Sequence, residues 1–172
     1  MEEIKMFNIK LDFSNSKDIK VDNKEITYCD ENSLIDFVCD ALYEKHVKFI
    51  VSDNCCSDYG MNCKFDLPCL LEAYEDIICG LLNRQDFSIE FYEQGREYFI
   101  SVFILKDDVK LKIRYGYDDT WSKEELTYCY IKNMFVDFFE ILFEDINNCF
   151  SNIMRNPVFN NWIIKLNELK LQ

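Results

Sequence analysis

Function in this chain has to come from side chains that could move protons, hold a metal or grip a partner. There is one histidine, His46, and a general base or a Cys/His or Ser/His pair would have to use it. It falls where a helix is expected to end, a position that suits a cation against the carbonyl end of the dipole. No serine or cysteine partner stands near it in a strand-turn-helix context. Cys55, Cys56, Cys63 and Cys69 fall close together, and four thiolates could bind zinc tetrahedrally. Zinc knuckles take ligands two residues apart, however, and adjacent Cys55 and Cys56 do not supply that spacing. The reading is free thiols in a loop, with no metal and no cofactor. There is no Gly-rich phosphate loop, no HExxH and no GxSxG, so no enzyme is expected.

Carboxylates are the abundant chemistry. Asp137, Glu140 and Glu144 recur at i, i+3 and i+7, with Asp145 beside them, which places an acidic strip on one face of a helix. Asp118 and Asp119 stand between Tyr117 and Trp121, with Glu124 and Glu125 just beyond. Exposed aromatics amid acids are the pattern of an interface hot spot with an electrostatic rim. The alternative is a solvated face, with Trp121 buried under the following helix. The candidate partner-binding residues are therefore Tyr117, Asp118, Asp119, Trp121, Asp137, Glu140 and Glu144.

Composition points the same way. The formal charge is −13 with 49% hydrophobic and 16% aromatic residues over 172 positions. One domain spanning 1–172 with a sizeable core is expected. The acid excess disfavours nucleic acid, whose phosphates call for Lys and Arg, and disfavours an anionic membrane surface. It fits attraction of a basic partner, or solubility alone. Nine scattered cysteines, several at apolar helical positions, fit reduced thiols in a cytoplasm. Met1-Glu2-Glu3-Ile4-Lys5 has no basic n-region before an apolar run, so no secretory leader is expected, and no run is long enough to span a membrane.

The elements that must position these residues can be read from periodicity. The stretch 87–117 reads as an antiparallel meander. Phe87, Ile89 and Phe91 alternate with polar residues, and Gln94-Gly95 makes a turn. Tyr98 to Leu105 is apolar on both faces and suits a central strand covered on both sides. Val109, Leu111, Ile113, Tyr115 and Tyr117 then alternate with Lys110, Lys112 and Arg114. Upstream, Ile4 to Phe13 reads as a strand, Glu25 to Cys29 as a second short one, and Lys48 to Ser52 as a third. A helix capped by Asn32 or Ser33 runs to Lys45-His46. A loop follows from Asp53 to Lys64, and then a helix capped by Asp66 carries the apolar stripe Leu67 to Leu82. Ser122-Lys123-Glu124-Glu125 matches a capping box and opens a long Phe-rich helix to about Asn152. Asn156-Pro157 separates it from a short helix over Phe159 to Leu171. The fold class is α+β, with a mostly antiparallel sheet and helices packed across it.

From Asp66 to Leu169 this layout resembles small immunity proteins of bacterial polymorphic toxin and contact-dependent inhibition systems. The shared features are a strand-rich middle, an acidic aromatic loop with Trp121, a Phe-rich helix and a short helix with Trp162. The resemblance implies a small acidic cytoplasmic protein that blocks a toxin domain by binding it. A basic toxin would account for the negative charge. The alternative is a structural or regulatory interaction domain, homodimeric through the aromatic-rich helix, whose acidity serves only solubility.

Overall fold

The protein is an α+β fold whose strands form two antiparallel sheets. The computed structural model describes residues 6–21, 24–92, 97–116 and 121–172. The small sheet pairs β1 (Asn8–Asp12) with β2 (Lys48–Ser52), in a register that sets Ile9 opposite Val51 and Leu11 opposite Phe49. Strand β2 coincides with the run expected from sequence. The large sheet is a meander in the order β3 (Phe87–Phe91), β4 (Tyr98–Leu105), β5 (Asp108–Tyr115) and β6 (Trp121–Thr127). The Gln94-Gly95 turn expected between its first two strands lies outside the described residues. One hydrophobic core unites the elements of both sheets with the helices.

Strand β6 corrects the capping-box reading. Ser122, Glu124 and Leu126 point inward while Trp121, Lys123, Glu125 and Thr127 point out, the period-two pattern of a strand. The buried Glu124 carboxylate accepts the Phe7 amide at 2.7 Å and the Asn54 amide at 2.6 Å, contacts that only tertiary folding provides. The long helix α4 (Tyr128–Cys149) therefore starts later than expected, capped by the Thr127 hydroxyl, which accepts from the Tyr130 amide. It ends earlier as well, because Phe150 leaves the helix to bridge Val21.

Other expectations are corrected by similar long-range contacts. Residues Lys24–Thr27 form a 3-10 turn where a short strand was expected, and this turn drops Ile26 into the core. The buried Asn156 amide holds it there, donating to the carbonyls of Ile26 at 2.7 Å and Cys29 at 3.1 Å. Helix α1 (Glu31–Glu44) is capped by Asp30, just upstream of the Asn32 or Ser33 expected. The apolar stripe from Leu67 is two helices, α2 (Leu67–Glu72) and α3 (Tyr74–Asn83), broken at Ala73. Asp66 does not cap α2 with its side chain, and accepts instead from the Asn62 amide of the preceding loop.

The break at Ala73 serves packing. Helix α2 packs on α1 and β3, and α3 turns toward α5 (Pro157–Lys170). Tyr74, the first residue of α3, is fully buried and donates its hydroxyl to the Trp162 carbonyl of α5 at 2.5 Å. Its ring meets Phe139 edge-on at 4.8 Å, and Phe143 stacks on Trp162 at 5.9 Å. Each such aromatic contributes on the order of 1.5–3 kcal/mol by burial, with further gain from edge and stacked geometries. Gly80 is needed where α3 crosses β3, since a Cβ there would come 2.6 Å from a Phe87 ring carbon. Helix α4 lies against β1, β5, β6 and α5, and its rings Phe135, Phe138, Phe139 and Phe143 are all buried.

Burial also sets how stability should respond to alkali. It pushes the Cys63 thiol up to about 12, and raises the Cys39 thiol and the Tyr74 and Tyr98 phenols as well. In the unfolded chain these groups release protons at about 8.5 and 10. Above those values the unfolded state binds fewer protons, so their stabilising contribution is complete at lower pH and is lost as pH rises. Denaturant midpoints should fall steadily between about pH 9 and 12; a flat alkaline profile would contradict the burial of these groups.

Candidate partner-binding surface

Helical spacing does bring Asp137, Glu140 and Glu144 together. All three are exposed on α4 and line one wall of a groove of about 640 Å³ between α4 and α5. Ile141 sits among them and is 49% exposed, and Met154 (46% exposed) and Ile163 complete an apolar lining. Glu140 is ion-paired to Lys170 of α5, which ties the acidic wall to the opposite helix. Asp137 and Glu144 make no ion pair with any described residue. Their charge faces solvent beside an exposed isoleucine.

Asp145 parts from the strip. One helical step away from Glu144, it turns inward and pairs with Lys45, which is itself buried beside the Cys149 thiol at 3.8 Å. Burial works against the Lys45 charge, but the Asp145 hydrogen bond and charge outweigh it and raise the Lys45 pKa.

Trp121 is not buried under the long helix. It stands 39% exposed on the open face of the large sheet, the face turned away from α4, with the Arg114 guanidinium 5.5 Å from its ring. Its described neighbours are thus cationic, and Glu124, expected to enrich an acidic patch, points into the core. Tyr117, Asp118 and Asp119 lie outside the described residues. Trp121 and the α4 strip accordingly belong to two separate surfaces.

The second face of β4 also departs from expectation, because among the described residues no layer of helices covers it. Phe99 and Phe103 are instead half-covered by cations from the neighbouring strand: the Arg114 guanidinium lies 4.3 Å from the Phe99 ring, and the Lys112 ammonium 5.1 Å from Phe103. Lys and Arg stems shield apolar rings while their heads stay hydrated.

The remaining candidate chemistry is disposed structurally. His46 follows the end of α1 in a left-handed conformation (φ 64°), its amide bonding the Tyr43 carbonyl. Cys63 is buried and donates to the Val47 carbonyl at 3.3 Å, while Cys55 is exposed and Cys69 lies buried on α2. Among the described residues no three His, Cys, Asp or Glu side chains converge as metal ligands. Reactive thiols need a lowered pKa, yet burial raises those of Cys29, Cys39, Cys63 and Cys149, and partial desolvation beside the Asp53 and Glu124 carboxylates raises that of Cys55. No helix among the described residues is long and apolar enough to cross a membrane.

Two acids escape a reading by local spacing. Asp53 is fully buried beside Glu124, accepting the amides of Cys55 and Cys56 at 2.8 Å, the Tyr59 hydroxyl at 2.7 Å and the Ser122 hydroxyl at 3.1 Å. Together Asp53 and Glu124 clasp the loop after β2 to β6. The signal that could have revealed Glu124 is its phase: it alternates with Trp121, Lys123 and Glu125 as an inward strand residue does. Comparison with protein-family models, curated proteins and solved structures finds no match to this chain.

Proposed function

We infer that the protein is a non-catalytic binding protein of the immunity type, which occupies a basic toxin domain through the groove between α4 and α5. The observation that carries this reading is Ile141, an exposed apolar anchor set among Asp137, Glu140 and Glu144. An apolar centre supplies the affinity of a hot spot, while a rim of one charge sign steers a partner of the other and selects against wrong ones. The net charge of −13 adds long-range attraction for a basic domain. The alternative, a homodimer through the aromatic-rich helix, is disfavoured because the phenylalanines of α4 are spent inside the chain's own core.

The test is direct. A toxin domain with a basic surface should be encoded immediately upstream of this chain's gene, and the two purified proteins should form a complex. Ile141→Ala should weaken that complex by about 1–2 kcal/mol. Reversing both free acids, Asp137→Lys with Glu144→Lys, should slow association at least about tenfold with less effect on dissociation. A neighbourhood of metabolic genes only, or a complex indifferent to all three substitutions, would overturn the reading.

A further inference from the structure

Despite the acid excess, cations gather on one face of the large sheet. In the meander register Arg114 lies opposite Trp121 and Phe99, Lys112 opposite Lys123 and Ser101, and Lys110 opposite Glu125 and Phe103. All of these side chains point to the open face of the large sheet. Four cations therefore cluster on two adjacent strands of a chain in which acids outnumber bases 32 to 19. Lys110 is paired with Glu125 at 3.5 Å and Arg114 with Glu97 at 3.1 Å. Lys112 and Lys123 make no ion pair with a described residue, and they sit directly across from one another. Like charges at directly opposed positions destabilise a strand pair, so this juxtaposition works against folding until an anion lies over it.

The geometry points to a second docking site on this face, for an extended acidic segment of a partner protein. Lys110, Lys112 and Arg114 recur at every second residue of β5, a spacing of about 6.8 Å, which matches alternate carboxylates of an extended chain. The Phe99 and Phe103 rings lie beneath the Arg114 and Lys112 heads and hold these cations against the sheet face. Single-stranded nucleic acid fits less well. Its bases would need bare ring faces, whereas Arg114 lies 4.3 Å from the Phe99 ring and Lys112 5.1 Å from Phe103. Glu90 and Glu125 would face its phosphates at the two margins of the sheet. The net negative charge slows the approach of an acidic partner, while the cations within about 8 Å decide its contact.

This site stands apart from the α4–α5 groove, so either can fail without the other. The experiment follows the anisotropy of a labelled peptide of alternating Glu and Ser titrated with the full chain, with labelled oligothymidine as a second probe. The peptide should bind saturably and perturb Trp121 fluorescence. Lys112→Glu with Lys123→Glu should weaken it about tenfold, and the neutral pair Lys112→Gln with Lys123→Gln by about half that factor on a logarithmic scale. Circular dichroism checks folding, and the neutral pair decides the matter if the charge-reversed chain does not fold. Glu168→Gln, on the exposed side of α5, should leave peptide binding unchanged. No saturable peptide binding, equal binding by the neutral pair, or tighter binding of oligothymidine than of peptide would each overturn the proposal.

Discussion

Replacing Trp162 with alanine should lower the unfolding free energy by about 3–5 kcal/mol, a large part of the stability of an ordinary domain. Trp162 is fully buried, stacked on Phe143 and in contact with Tyr74 and Phe159. Its indole nitrogen also donates to Glu31 at 3.2 Å, reaching the first turn of α1. The substitution therefore empties a cavity where α1, α3, α4 and α5 meet. Phe at this position keeps most of the ring volume and should cost about half as much or less. Trp121→Ala, on the open sheet face, should stay within about 0.5–1 kcal/mol. Denaturant midpoints of these three variants check the contrast, and equal losses at the two tryptophans would contradict the placement of both.

The second large effect belongs to Lys45 and Asp145. Asp145→Asn leaves the buried Lys45 ammonium without its counter-charge and should destabilise by about 3–5 kcal/mol, as should Lys45→Met, which strands the carboxylate. Desolvation of two charges offsets most of what their attraction gives. The double variant Lys45→Met with Asp145→Leu should accordingly recover most of the loss. A double-mutant cycle in denaturant measures the coupling. Additive single losses would show that the pair is solvated after all.

These contacts explain which parts of the fold could be read from sequence. Strand β3 was legible from its local alternation and β2 from its short apolar run, and α5 from the stripe Trp162, Ile163, Leu166 and Leu169, of which Ile163 is only half-buried and lines the groove instead. Strand β6 was not. Ser122-Lys123-Glu124-Glu125 is locally indistinguishable from a helix start, and what decides it is Glu124 binding the amides of Phe7 and Asn54, remote in the chain. The break at Ala73 likewise has no local cause, neither proline nor glycine, and follows from Tyr74 docking on Trp162.

The site was legible to the same degree. The acidic wall of Asp137, Glu140 and Glu144 follows from helical periodicity alone. Its apolar complement does not, because Met154 and Ile163 join Ile141 only through the packing of α4 on α5. Asp145 belongs to the strip by spacing, yet Lys45 at the end of another helix draws it inward. The cationic company of Trp121 needed the strand register, which pairs it with Arg114.

Under the proposed function, charge guides a basic toxin domain onto the α4–α5 groove. Stopped-flow association rates with that domain, measured from low to high salt, test it most directly. The rate should fall on the order of tenfold or more as screening shortens to a few ångströms, and much less once Asp137 and Glu144 are lysines. An association rate that ignores salt, or a slope the two substitutions leave untouched, would contradict it.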